Sequence, residues 1–219
     1  MRSWPLFDLV LRTPRLELRP LRDEDLDDVV DAAISGIHGP DVTPFPLRWN
    51  LGTPDEVRRR VVQFQWRQRA SLEPRDWTVQ LGVRFDGRVV GVQDIGATDF
   101  ATRRTVATGS WLRQDVHGRG IGTEMRAAVL LFAFDHLGAH VAETSYAEGN
   151  APSHGVSSRL GYVANGRSRV QIAGIDGGEP TVVDDHRMRL EAAEMRRPDW
   201  TLQVEGWDAA RADLLGDDG

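Results

Sequence analysis

Apolar and polar residues alternate over Arg15-Leu16-Glu17-Leu18-Arg19, just after Thr13-Pro14, which predicts an early strand buried on one face. From Glu24 to Ser35 the apolar positions Leu26, Val29, Val30, Ala33 and Ile34 recur at helical spacing, and Gly36 ends the helix. Ile37 to Leu51 is rich in Gly and Pro around Phe45 and Trp49, a connection that either lines a pocket or plugs the space beneath itself. Thr53-Pro54-Asp55-Glu56 then opens a second helix, with a capping Thr, Pro in the first turn and acids at the positive end, running to about Leu72.

The middle of the chain switches to period two. Trp77 to Phe85 and Val89 to Ile95 flank Asp86-Gly87 and predict a hairpin, and Val106 to Leu112 predicts a third strand. A helix is expected from Gly122 to Leu137, with Met125, Val129, Phe132 and Ala133 on its apolar face and Gly138 as its stop. A strand over His140 to Tyr146 and a short helix over Pro152 to Leu160, ended by Gly161, come next. Ser168 to Ala173 and Val182 to Leu190 predict a closing hairpin around Gly174, Gly177 and Gly178. Trp200, Leu202, Val204 and Trp207 predict a last strand and short helix packed on the body or on a partner chain.

Composition narrows the chemistry. The 219 residues suit one domain, with residues from about 191 onward as a C-terminal extension. No run approaches the roughly 18 apolar residues of a membrane span, and Met1 to Arg12 lacks a secretory layout, so a soluble cytoplasmic protein is expected. With no Cys, thiolate nucleophiles, disulfides and Cys-type metal sites are excluded. All 27 basic residues are Arg, which excludes Schiff-base chemistry and a Walker lysine. A net charge of −6 argues against a broad nucleic-acid surface, and Arg58 to Arg60 read as a solvated helix face. His136 and His140 are separated by Gly138 and lack a third ligand, so no metal is expected, and no Ser sits in a nucleophile elbow.

The densest chemical signal is His117-Gly118-Arg119-Gly120-Ile121-Gly122-Thr123, between a predicted strand and a predicted helix. Glycines at alternate positions let successive amides point into one concavity, and the helix adds the positive end of its dipole, an arrangement suited to a pyrophosphate. The spacing is neither that of a dinucleotide-binding turn nor that of a Walker loop.

This segment resembles the [QR]-x-x-G-x-[GA] motif of the GCN5-related N-acetyltransferase (GNAT) superfamily, with His117 at the Gln/Arg position. Asn150-Ala151-Pro152-Ser153 followed by Arg159-Leu160-Gly161-Tyr162 resembles the N-x-x-S…G-[FY] segment of the branch holding the ribosomal-protein acetyltransferases RimJ and RimL. Gly109-Ser110-Trp111-Leu112 resembles that branch's G-Y-W-L strand, and Thr13-Pro14-Arg15-Leu16 its opening. The resemblance runs from about Thr13 to Leu190 and leaves the tail without a counterpart.

It implies an α+β fold: a mixed, mostly antiparallel sheet of about seven strands flanked by helices, with its fourth and fifth strands parallel and splayed. It implies acetyl-CoA or another acyl-CoA such as succinyl-CoA as co-substrate, and an amine acceptor on a protein N-terminus or a small molecule. The pantetheine arm would pair with Ser110, Trp111 and Leu112, amides of His117 to Thr123 would hold the pyrophosphate, and Asn150 would bond the arm with Ser153 near the thiol. The amine would attack the thioester directly, with an amide near Trp111 or Leu112 as oxyanion donor and Ser153 or Ser157 as acid. Relatives carry Glu where this chain has Ala107, which leaves Asp94, Asp99, Glu143 and Glu148 as unresolved candidates for the base. A non-catalytic acyl-CoA sensor and a dimerisation scaffold are the competing readings, and a homodimer or higher homo-oligomer is expected from the family branch.

Overall fold

The computed structural model describes residues 4–39, 45, 49–172 and 179–216. The glycine turn at Gly174, Gly177 and Gly178 and much of the loop between Gly39 and Trp49 lie outside the described residues.

Ten strands form one sheet: β1 (Val10–Arg12), β2 (Leu16–Pro20), β3 (Asp76–Phe85), β4 (Arg88–Thr98), β5 (Thr105–Ala107), β6 (Ser110–Leu112), β7 (Val141–Ala147), β8 (Val163–Ile172), β9 (Thr181–Glu191) and β10 (Gln203–Glu205). Their order is β10-β1-β2-β3-β4-β5-β7-β9-β8, with β6 also on β4. Every pairing is antiparallel except β5 with β7. The sheet exceeds the expected seven strands because the predicted third strand is two, and because β1 and β10 extend the far edge. Val10–Arg12 is too short to show a period in sequence. The β3–β4 hairpin turns at Asp86 and Gly87, whose φ values of 50° and 76° are the left-handed pair that a two-residue turn needs.

The helices are α1 (Leu26–Ile34), α2 (Pro54–Ala70), α3 (Phe100–Arg103), α4 (Ile121–Phe132), α5 (Ala151–Leu160) and α6 (Trp207–Leu215). At α2 the predicted capping Thr53 accepts through its hydroxyl from the Glu56 amide at 3.3 Å, and the Glu56 carboxylate accepts from the Thr53 amide at 2.8 Å, so the structure adds a reciprocal capping box. Val89 and Val90 are consecutive in β4 and point to opposite faces. Val89 joins Val29, Val30, Val57 and Val61 of α1 and α2, whereas Val90 joins the large core that buries α4. The sheet is thus covered on both sides. No described helix is long and apolar enough to cross a membrane.

The tail completes the far edge. β10 pairs with β1, the Leu6 amide donates to Asp213 at 2.8 Å, and the Trp207 ring meets Phe132 edge-on at 5.1 Å. Trp200 and Trp207 therefore pack on the chain's own core, the first of the two placements that the sequence allows.

Candidate active site

The cleft begins where the sheet stops being a sheet. β5 runs parallel to β7 up to Ala107 opposite Glu143, and the Thr108 amide still reaches the Glu143 carbonyl at 2.9 Å. Beyond Thr108, β6 pairs with β4 alone, so β6 and β7 part in a V. This is the splay that the resemblance implies, and Thr108-Gly109 is its apex. On β6 the amides of Gly109 and Arg113 point toward β4, reaching Asp94 and the Val90 carbonyl. Alternation along the strand then turns the amides of Ser110 and Leu112 outward, toward the open side. Of the amides at Trp111 and Leu112, the pleat turns that of Leu112 toward the open side.

Gly91 makes the β4–β6 approach possible. A Cβ there would stand 2.2 Å from the Trp111 carbonyl oxygen and 2.9 Å from the Leu112 Cα. Trp111 packs on Trp49 at 5.5 Å, and Trp49 on Phe45 at 5.4 Å, giving the cleft an aromatic wall. The Phe45 and Trp49 segment lines the pocket, the first of its two possible roles.

At the other end, Gly118 and Gly120 adopt φ of 73° and 80°, left-handed values that fold the turn back under the start of α4. The amides of Gly118, Arg119, Gly120, Ile121 and Gly122 have no acceptor among the described residues, whereas those of His117 and Thr123 donate to Gln114 and Gly120 carbonyls at 3.1 Å each. The unpaired run sits at the positive end of a twelve-residue helix and fits an anion such as a pyrophosphate. The turn is fixed by Arg15, which bridges the Glu124 carboxylate at 2.5 Å and the Arg119 carbonyl at 3.0 Å. His117 Nε2 lies 3.0 Å from the Leu112 carbonyl, so its ring ties the turn to β6. The Arg119 guanidinium lies over the Phe85 ring at 4.7 Å.

Asn150 caps α5, its Oδ1 accepting from the Ser153 amide at 3.2 Å, which leaves its side-chain NH2 free to donate. Asn150 and Ser153 both line the cleft. Ser157 does not. It is 1% exposed and its hydroxyl donates to the Ser153 carbonyl at 3.1 Å, the back-bond of a helical Ser, so the structure does not bring this expected acid to the cleft. The cleft has a volume of about 1630 Å³, more than the roughly 300–1,000 Å³ of a pocket for one small ligand.

Two polar features of the apex stand outside the sequence motifs. Arg126, 3% exposed on α4, donates to Gln93 Oε1 at 3.1 Å, Thr144 Oγ1 at 3.1 Å and Ser110 Oγ at 3.0 Å. It thereby spans β4, β6 and β7 and props the V open. Thr144 in turn donates to the Thr108 carbonyl at 2.8 Å, and Gln93 Nε2 to the Gly109 carbonyl at 2.7 Å. Asp94, directly opposite Gln80 on β3, accepts from the Gly109 amide, and its own amide donates to the Gly109 carbonyl at 2.8 Å. Burial raises the Asp94 carboxyl above the usual carboxylate range, against the lowering effects of the Gly109 amide, Arg126 and Gln80. Asp94 shares a face with Gly96, and Gly96 faces Ala107, so this carboxylate stands one rung from the position where the resemblance expects Glu. Of the other three acids raised by sequence, none lines the cleft; Asp99 pairs with Arg75 at 2.6 Å. An Arg interrupting an apolar helix face and the polar Gln93-Asp94 pair inside an apolar strand were the available sequence signals. Among the described residues no three His, Asp or Glu side chains gather as a metal site.

A family model described as an acetyltransferase (GNAT) domain matches residues 15–163. The chain belongs to the GNAT acetyltransferase family. Among curated proteins, the GNAT chain is 26% identical over 120 residues to "Putative ribosomal N-acetyltransferase YdaF" of Bacillus subtilis, a match spanning 55% of this chain and 63% of that protein's length. Among solved structures it resembles Mycobacterium smegmatis RimJ in complex with CoA-disulfide, with a TM-score of 0.69 and 23% identity over 88% of this chain and 91% of the other. It also resembles RimL, the ribosomal L7/L12 alpha-N-protein acetyltransferase in complex with coenzyme A, with a TM-score of 0.62 and 16% identity over 82% of this chain and 95% of the other. A GNAT protein from Brucella melitensis aligns with a TM-score of 0.63 and 19% identity over 89% and 85% of the two chains. These structural likenesses establish the fold.

Proposed function

We propose that this GNAT chain is an N-acyltransferase that moves an acetyl group from CoA to an amine by direct attack, with both substrates in the cleft together. The observation that carries the reading is the pairing of five unpaired amides over Gly118 to Gly122 with a splayed β6 edge, both opening on one cleft large enough for two ligands. In this reading the amides take the pyrophosphate, the β6 edge takes the pantetheine arm, the Asn150 side-chain NH2 donates to that arm, and the outward Leu112 amide receives the oxyanion. Ser153 is the acid for the departing thiolate. CoA brings the activated acyl group; the chain's part is to bind, orient and move protons.

The acceptor is an amine on a protein N-terminus or a small molecule, and the ribosomal acetyltransferases among its relatives favour a protein N-terminus. Succinyl is a second donor to test, because Arg126 is a buried cation in the cleft wall with no ion pair among the described residues.

Thermal unfolding with acetyl-CoA, succinyl-CoA, CoA and NAD tests the reading. A ligand at about a hundred times its Kd adds roughly 2.7 kcal/mol, a rise of about 5 to 10 °C at this chain length. A rise with CoA species alone, followed by thiol release with an amine, is the expected result. Binding without turnover over a broad amine panel would make the chain a sensor, and no rise with any CoA species would refute both.

A further inference from the structure

We propose that Asp94 is the general base of the acyl transfer, receiving the acceptor's ammonium and taking the proton that frees the attacking amine, and that position 109 is glycine so that this carboxylate can occupy the cleft apex. The proposal rests on the acyltransferase reading above.

Among the described residues, the acids lining the cleft are Glu56, Asp94, Glu124 and Asp185. Glu56 is committed to the capping box of α2, and Glu124 to Arg15 and to the Thr13 hydroxyl at 2.5 Å. Asp185 lies on β9 opposite Ala147, at the far end of β7 from the apex. Asp94 alone sits where β5 gives way to β6, beside the strand whose outward Leu112 amide faces the reacting carbonyl. Its partners are the Gly109 amide and Gln80, both neutral, so its remaining lone pairs are open to an ammonium. The charged group whose field reaches it is Arg126 of α4. A Cβ at position 109 would lie 2.9 Å from Asp94 Oδ2 and 3.2 Å from Oδ1 and would displace the carboxyl. Gly109 needs no positive φ, so this close approach is the reason for glycine there.

The step balances. The ammonium gives one proton to Asp94, and the neutral amine forms the C–N bond to the thioester carbonyl, whose oxygen becomes anionic. When that oxygen re-forms its double bond the C–S bond breaks, the proton left on nitrogen goes to the thiolate by way of the Ser153 hydroxyl, and CoA leaves as thiol. Asp94 releases its proton to water.

Asp94→Asn should lower kcat/KM about a hundredfold to ten-thousandfold, with the KM for acetyl-CoA little changed. Its pH profile is the discriminating readout. The wild type loses rate on the acid side as Asp94 protonates, whereas the variant's rate climbs with pH toward the amine's own ionisation. Stability supplies a readout that needs no acceptor. Burial lets the folded carboxyl hold its proton to higher pH than the unfolded one, so Asp94 costs stability as pH rises through that window, and Asp94→Asn should have the higher Tm at neutral pH. Gly109→Ala should reproduce the loss of rate. The assay uses acetyl-CoA with free-N-terminal tripeptides and 2-phenylethylamine, and Asp185→Asn as the comparison. An Asp94→Asn variant that keeps the acid limb overturns the proposal, as does an acid limb lost in Asp185→Asn instead. If acetyl-CoA stabilises the chain but no amine turns over, the chain is a sensor and the proposal falls. Wild type without stabilisation by acetyl-CoA would instead sink the acyltransferase reading itself.

Discussion

Replacing Arg126 with Met keeps the length and apolar stem of the side chain while removing the fork that spans three strands. The cost can be followed group by group. Thr144 keeps its own bond to the Thr108 carbonyl at 2.8 Å, and the Ser110 hydroxyl lines the cleft, where water can replace the guanidinium. Gln93 keeps both donations from Nε2, at 2.9 and 2.7 Å, but its Oε1 is stranded at 0% exposure. One stranded buried acceptor costs about 1–3 kcal/mol, and relief of the desolvated charge offsets part of the rest. At about 2–4 °C per kcal/mol for a chain of this size, Tm should fall by roughly 3–10 °C. The variant should also move the acid limb of the rate profile to higher pH, because the cation that opposes the rise of the Asp94 carboxyl is gone. Arg126→Lys should lose stability but leave the limb near its place, since one ammonium keeps the charge without the fork. Differential scanning fluorimetry and kcat/KM against pH measure both effects. A Met variant with wild-type Tm and an unmoved limb would refute the role given to Arg126.

Gly120→Val should raise the KM for acetyl-CoA about tenfold with a smaller effect on kcat, because the left-handed φ of 80° costs a β-branched residue about 1–2 kcal/mol; an unchanged KM would show that the turn does not hold the donor. Deleting the residues after Arg197 removes β10 and α6, bares β1 as a sheet edge and uncovers Phe132. Light scattering should then show association that grows with concentration, and calorimetry a lower Tm. A stable truncated monomer from an oligomeric full chain would instead make the tail an interface.

The parts of the chain governed by local rules were readable in advance. The capping Thr53, the Asp86-Gly87 turn and the glycine turn before α4 each depend on residues close in sequence, and each lies where the pattern put it. What required the structure was anything assembled across strands. The break at Thr108-Gly109 reads as continuous strand in sequence, because its cause is Arg126 and Thr144 holding the two sides apart from 18 and 36 residues away. Ser157 shares a helix with Ser153 but faces inward, a distinction that the weak amphipathicity of α5 does not encode. Asp94 was one acid among four until register placed it against Gly109. β10 falls where the alternation around Val204 predicts a last strand, but its partner β1 is three residues long and nothing local announces it.

That last pairing bears on how the protein comes off the ribosome. β1 is made long before β10, with Arg12 meeting Glu205 and the Leu6 amide meeting Asp213 across 193 and 207 residues. A nascent chain must therefore carry an unpaired N-terminal strand edge, with its apolar partners uncovered, until about residue 215 has cleared the exit tunnel. Contacts of such sequence separation form slowly, and the edge is open to other chains meanwhile. Closure of this edge thus waits on the synthesis of β10 and α6, and a chain stalled or terminated before them would present the edge to the cell's chaperones and proteases.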